Sequence, residues 1–396
     1  MLYKFSINKL VLLLLFIPLN FNLLGFNVLL SFILLLIVFI ISFIKDGVKL
    51  NLTFLNYVLL FIVYALAVNI FSKCDNYLLK SLISLALIIS LLFSIFLYSN
   101  LSSINYLEKI VFYYIIFISI FFPFELFLNY QLENNLRISS FFSEPSHFAL
   151  FVAPILVPLL FSSDNKHRAV SFLLIVFLIF FSPSSTLFIA LLMASILCGL
   201  YFSKNIILLI IPLFIFIFYS NYFSDFFIRF SDIFNDINNI NLSTLVYING
   251  WEISLANLLT TNFLGLGFNR MGCNPTVIVP SSLVLIESGR LISNGNIVNY
   301  NDGSFIFSKI LSELGLIGVL LTAYLLKIFS TMFIFKNRYR NLTNFQAAFI
   351  ISAISTMFIS IFIRGTSYFS LPFILGLYCI SILIKINRST TNDSRY

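Results

Sequence analysis

The chain predicts an all-α, polytopic integral membrane fold of about twelve transmembrane helices, on three observations. Of its 396 residues, 60% are hydrophobic and only 10% are charged. Mean hydropathy is +1.04, far above what a soluble core requires. The apolar runs, finally, come at lengths close to the bilayer thickness, and a chain inside lipid must satisfy its own backbone by forming helices. The 50 phenylalanines and 14 glycines add a compositional bias that carries no functional signal.

In chain order, the expected spans are 9–24, 27–44, 52–71, 78–98, 108–128, 146–161, 168–182, 185–202, 205–220, 305–327, 344–363 and 367–384. Lys4 and Lys9 precede the run from Leu10 to Ile17 and no small-residue cleavage site follows, so the first span is retained. Tight turns at 20–27 and 182–185 divide neighbouring spans. Pro145 opens the sixth, because proline is tolerated in a first helical turn. The ninth span is followed by the one extensive polar part, 221–304, large enough to form a lid over a membrane cavity. Within it Trp251, Ser254, Leu255, Leu258 and Leu259 recur at helical spacing. That spacing makes 249–261 an amphipathic helix lying along the membrane interface, where tryptophan is favoured. The chain thus divides into 1–220 (spans one to nine), 221–304 (the outer loop between helices 9 and 10), 305–385 (spans ten to twelve) and 386–396 (a tail).

Orientation follows from the basic residues. With the N-terminus in the cytoplasm, the inner set is Lys4, Lys9, Lys45, Lys49, Lys109, Lys166, Arg168, Lys204, Lys327, Lys336, Arg338, Arg340, Lys385, Arg388 and Arg395. Outside remain Lys73, Lys80, Lys309, Arg137, Arg229, Arg270, Arg290 and Arg364. Both termini are therefore cytoplasmic. Lysine dominates inside, whereas arginine dominates outside, where topology asks for no positive charge. A planar guanidinium suits phosphate and carboxylate recognition better than an ammonium does. The alternative is loop pairing of these arginines with Asp225, Asp232, Glu252 and Glu287.

The densest polar cluster is RISSFFSEPSHFA, 137–149, which places Arg137, Glu144, His147 and several serines at the mouth of span six. Ionisable groups beside hydrocarbon are expensive and usually face a water-filled cavity or a substrate path. Glu144 stands at the positive end of that helix. At span ten, Asp302 stands at the helix mouth and Glu313 lies one to two turns further in, buried and costly unless paired. Gly265 and Gly267 in NFLGLGFNRMG (262–272) allow a tight turn, but no nucleotide-fold helix follows, so the turn reads as structural. With His147 and His167 the only histidines, a His-based metal site is excluded. Cys74, Cys198, Cys273 and Cys379 lack metal-ligand spacing; Cys74 and Cys273 fall outside the membrane, where a disulfide between them is open. No P-loop, HExxH, GxSxG or DxD pair occurs.

Three passages together resemble the O-antigen polymerase (Wzy) family, within the wider group that includes O-antigen ligases. They are RISSFFSEPSHFA with its E-P-S core, the tryptophan-to-GxG passage from Trp251 to Gly267, and DGSFIFSKILSELGLIG (302–318) leading span ten. The resemblance implies a GT-C-like glycosyltransferase of the bacterial inner membrane, working at its periplasmic face in lipopolysaccharide or other surface-polysaccharide biosynthesis. It would move a growing glycan from undecaprenyl diphosphate onto a new lipid-linked repeat. No metal, cofactor, nucleotide sugar or nucleic acid is then needed, and the implied partners are the lipid-linked oligosaccharide, the bilayer and a chain-length regulator membrane protein. Ligases of the group carry a histidine just ahead of the E-x-G turn; here Asp302, Gly303 and Ser304 stand there, which favours polymerase.

On that footing Arg137, Arg290 and Arg364, with Arg229 and Arg270, are expected to hold the diphosphate. Glu144 or Asp302 is expected to act as the general base for the attacking sugar hydroxyl. Glu144 is preferred because it shares a short loop with Arg137. His147, Glu313 and Trp251 are expected to support the site. An O-antigen ligase and a lipid-linked oligosaccharide flippase are the competing readings; two related halves, which a flippase tends to show, are not evident in the sequence.

Overall fold

The computed structural model describes residues 52–72, 77–125, 145–181, 184–202, 242–273, 279–287, 303–365 and 368–393, with 20–23, 26–29 and the isolated positions 10, 11, 37, 40 and 127. Its helices are α1 (Leu52–Phe71), α2 (Leu78–Tyr98), α3 (Leu101–Ile120), α4 (Pro145–Leu159), α5 (Asn165–Phe181) and α6 (Ser185–Phe202), then α7 (Leu242–Thr260), α8 (Pro280–Glu287), α9 (Ile306–Ile334), α10 (Asn344–Phe362) and α11 (Leu371–Asp393). Among the described residues, six helices are long and apolar enough to cross a membrane: α2, α3 continued to Glu125, α6, α9, α10 and α11 as far as Arg388. The expected span at 205–220 lies outside the described residues.

Helix α10 is the axis of the core. It is buried along almost its whole length and packs against α4, α6 and α11. Its small residues, among them Ala347, Ala348, Ser352, Ala353 and Ser360, let neighbouring backbones come close, which is how helices associate where no hydrophobic driving force exists between them. A capping box between Thr343 and Gln346 starts it. On α11, Gly376 lies so close to Met357 of α10 that a β-carbon there would overlap the methionine side chain. Helix α4 carries Pro154 and Pro158 within its length. Leu160 N–H turns to Val157 O instead of Leu156 O, and the Ser171 hydroxyl of α5 donates to Leu156 O at 2.6 Å. A carbonyl freed next to proline is thereby satisfied without water.

Several expected boundaries move. Asn20–Leu23 and Phe26–Leu29 pair as antiparallel strands β1 and β2, where spans 9–24 and 27–44 were expected to run. Asn20 and Asn22 alternate with apolar residues along β1, a period that suits a strand better than a helix, and Asn22 pairs with Asn27 of β2. The fifth span starts at Leu101, not at 108, because the Asn100 side chain accepts the Ser102 N–H at 3.1 Å and caps the helix early. Glu108 is then inside α3, where Ser162 donates to its carboxylate and His167 Nδ1 lies 3.4 Å away. The last helix runs from Leu371 to Asp393, well past the expected end at 384, and Lys385 in it donates to Ser99 O at 2.6 Å.

Helix α7 starts earlier than the expected 249–261. It buries Asn249, Gly250, Ile253, Ser254 and Asn257, while Leu255 and Leu259 are 49% and 65% exposed. Beside a bilayer these leucines turn out to lipid, and the polar stripe finds its hydrogen bonds inside the protein.

Candidate functional site

Two of the passages singled out in the sequence interlock. Helix α9 is broken at Gly315, whose φ of 55° and ψ of −139° are not helical. Against that break lies the turn 262–272, in which Asn262, Phe263, Gly265, Gly267, Asn269 and Gly272 all have positive φ. Leu266 and Gly267 donate their N–H groups to Ser312 O (2.8 Å) and Glu313 O (3.0 Å), and Leu316 returns one to Phe263 O (3.0 Å). From α1, the Tyr64 hydroxyl sits within hydrogen-bonding distance of Leu264 O (2.7 Å) and Leu314 O (2.8 Å). The carbonyls exposed by breaking the helix are therefore taken up by protein, as irregular backbone near a membrane requires.

The glycines make this contact possible. At Gly265 the φ is +89° and a β-carbon would come 2.5 Å from Glu313 O. Gly265→Ala is expected to destabilise the fold by about 1–3 kcal/mol, through left-handed backbone strain and the overlap together. A melting temperature of the purified protein in detergent that stays unchanged would show that the turn is not seated on α9.

Glu313 is the centre of the seam. It is 0% exposed, and its two carboxylate oxygens accept the N–H groups of Asn269 (2.7 Å) and Met271 (3.0 Å). Lys309, one helical turn earlier and equally buried, brings its ammonium to 3.9 Å. Tyr368 is buried beside the carboxylate, and burial, then the Glu313 charge, push its phenol well above its usual value. The Tyr368 ring in turn stacks on Phe268 at 4.9 Å and lies 5.6 Å beneath Lys309 Nζ. A carboxylate held by two backbone donors and a cation is a fastener, since its acceptor capacity is already engaged. Lys309 and Tyr368 were not among the expected site residues. A lysine four residues before a glutamate is a signal that could have found the first; nothing local marks Tyr368.

Arg270 is 1% exposed, and its Nη1 donates to Asn69 O (2.8 Å) and to the Ser72 hydroxyl at the C-terminal end of α1. A guanidinium there satisfies an end carbonyl and complements the helix dipole. Trp251 on α7 packs against Phe305 (5.1 Å) and Phe307 (5.5 Å), with Tyr247 4.8 Å from Phe305. Gly250 beside it lets α7 approach the Gly303 carbonyl.

Arg364 follows α10, and its neighbour Gly365 donates an N–H to Ser304 O at 3.1 Å. The Tyr247 hydroxyl closes the same corner by donating to Phe362 O at 3.1 Å. Arg364 is thus brought, through its neighbour Gly365, to Ser304 at the head of α9, two residues beyond Asp302 in sequence. His147 lies in the first turn of α4, half-buried, next to Phe148, which packs edge-on against Phe122 of α3. Glu144, Asp302, Arg137, Arg229 and Arg290 lie outside the described residues. Among the described residues no cluster of three or more His, Cys, Asp or Glu could hold a metal ion.

Comparison of the chain with protein-family models, with curated proteins and with solved structures finds no match in any of the three.

Proposed function

We propose that the protein is a surface-polysaccharide polymerase. It joins undecaprenyl-diphosphate-linked oligosaccharide repeats at the periplasmic face of the bacterial inner membrane, with both termini in the cytoplasm. The observation that carries this reading is the meeting of the tryptophan-to-GxG passage with the segment leading α9: Trp251 packs on Phe305 and Phe307, Leu266 and Gly267 bond to Ser312 and Glu313, and Gly365, next to Arg364, bonds to Ser304 at the start of that segment. These are two of the three passages on which the family resemblance rests, and they are far apart in sequence. In this reading Arg364, with Arg137, Arg229 and Arg290, holds the diphosphate and stabilises the charge that grows on it as its glycosidic bond breaks. Arg270 is committed to the end of α1, and Glu313 to the seam, so both act as supports.

For the base, Glu144 remains the choice and Asp302 the rival. Glu144→Gln is expected to cut turnover on synthetic lipid-linked repeats by about 10²–10⁴-fold, the usual worth of a positioned proton acceptor, while Asp302→Asn keeps most of it. The reverse pattern would transfer the role to Asp302, whose chain neighbours Gly303 and Ser304 already adjoin Arg364.

One observation favours a flippase instead. A helix interrupted at Gly315 beside a buried Glu313–Lys309 pair resembles the discontinuous helices of transporters. A deletion strain separates the readings. Single repeats on the normal acceptor mean a polymerase; full-length polymer left on undecaprenyl lipid means a ligase. Repeats retained on the cytoplasmic leaflet mean a flippase.

A further inference from the structure

The far end of α9 carries cations that the proposed reaction does not use. Beyond Ile334 the chain forms a 3-10 turn, Lys336–Tyr339, and then passes through Arg340 to the Thr343 cap of α10. Tyr339 anchors this turn and is 1% exposed. Its hydroxyl donates to Asn387 Oδ1 of α11 (2.6 Å) and lies 3.1 Å from the Thr331 hydroxyl of α9, while its carbonyl accepts from the Tyr201 hydroxyl of α6 (3.3 Å). Three helices thus fix one inward tyrosine, and Lys336, Arg338 and Arg340 around it are exposed. Lys336 Nζ stands 5.2 Å from the centre of the Tyr201 ring, and the Arg338 guanidinium 4.6 Å from that of Phe335. A guanidinium held by its face keeps its N–H edge for an acceptor. Among the described residues none of these three cations makes an ion pair with a carboxylate.

An apolar stripe runs up to the same turn. Leu320, Tyr324, Lys327 and Ile334 share the exposed face of α9 at helical spacing, and Leu326 and Phe335 beside them are exposed too. A lysine among lipid-facing residues extends its ammonium toward the headgroups, which brings Lys327 toward the turn. Membrane topology asks only for positive charge at this end. It asks neither for a turn pinned by Tyr339 nor for cations set at the end of a lipid-facing stripe. We propose that this corner binds an anionic phospholipid. Lys336, Arg338 and Arg340, with Lys327 reaching from α9, take the phosphodiester headgroup, and the acyl chains lie along Leu326, Ile334 and Phe335. The planar fork of arginine suits two phosphate oxygens at once, and the apolar stripe selects a lipid over a free phosphate. The length of α9 separates this corner from Ser304 and Arg364, so the lipid is a second ligand, whatever substrate the other end takes.

Native mass spectrometry of the full-length protein, released from bilayers mixing phosphatidylglycerol with phosphatidylcholine, counts the lipids retained. The wild type is expected to retain phosphatidylglycerol over phosphatidylcholine by about tenfold or more. The combined variant Lys327→Gln, Lys336→Gln, Arg338→Gln and Arg340→Gln should retain both alike. Lys109→Gln with Lys166→Gln removes two exposed cations of other helices and should leave the preference intact. Equal retention by the wild type, or a preference that survives the combined variant, would overturn the proposal. So would an equal loss in the Lys109 and Lys166 variant, which would mean a diffuse effect of charge. If the combined variant does not fold, the wild type decides alone: about 500 mM sodium chloride should erase the preference, and one that persists there would overturn the proposal equally. In neutral detergent, phosphatidylglycerol should raise the melting temperature of the wild type and inorganic phosphate should not. An equal rise with phosphate would overturn the lipid assignment. None of these readouts involves a glycan, so failure here is distinct from failure of the polymerase reading.

Discussion

Replacing Glu313 by alanine is expected to destabilise the folded protein by about 3–5 kcal/mol, the largest stability effect of any single change in the seam. The carboxylate is fully buried, and its removal costs three partners at once: the N–H groups of Asn269 and Met271 and the ammonium of Lys309. Water cannot readily replace it there. Breaking one side of a buried ion pair is costly because the remaining charge has no solvent to turn to, and a stranded backbone donor adds about 1–3 kcal/mol. Glu313→Gln keeps the shape and one acceptor oxygen, so it should lose less. Lys309→Met combined with Glu313→Leu removes both charges and should recover part of the loss, though not the part owed to the two N–H groups. Apparent melting temperatures and detergent half-lives of the wild type, Lys309→Met, Glu313→Leu and the double variant form a cycle. If the single effects simply add, Lys309 and Glu313 are not coupled and the seam is held by backbone alone.

Arg364→Lys should lower turnover on lipid-linked repeats by on the order of a hundredfold while protein levels and melting temperature hold. An ammonium keeps the charge but loses the planar fork that grips two phosphate oxygens at once. The backbone at this corner is fixed by Gly365 N–H to Ser304 O and by the Tyr247 hydroxyl to Phe362 O, neither of which involves the Arg364 side chain. A lysine variant should therefore fold. Wild-type chain length and turnover from that variant would mark Arg364 as structural and leave Arg137 and Arg290 as the diphosphate ligands.

The helices legible in the sequence were those whose ends carry their own punctuation. Spans 52–71, 78–98 and 185–202 coincide with α1, α2 and α6, because lysines, asparagines or serines flank an uninterrupted apolar run. The start of α3 was missed because Asn100 and the polar stretch after it read as a loop until one sees that the asparagine side chain is spent on capping. The break in α9 was not legible either. A glycine inside a helical pattern is usually tolerated, and Gly315 differs from Gly318 only in the turn that approaches it from elsewhere in the chain. Of the site, the sequence identified Glu313 as needing a partner, but its actual partners come from a segment more than forty residues earlier, and no local pattern encodes that. Arg270 was expected among the diphosphate-holding arginines, and no local pattern in the sequence encodes its contacts with the end of α1.

The outward leucines of α7 bear on how this protein can be handled and how it could have arisen. The segment gives Asn257 to α9 and shows its leucines outward, a surface suited to lipid and not to water. Cut free, 242–287 would carry Leu255, Leu259 and Leu283 exposed into water, and Asn257 would lose Ser312 of α9, although Asn249 would keep Ser281 and Ser282 of α8. The polar outer part is thus a facing of the membrane bundle, and its polar and lipid-facing surfaces could only have been selected together.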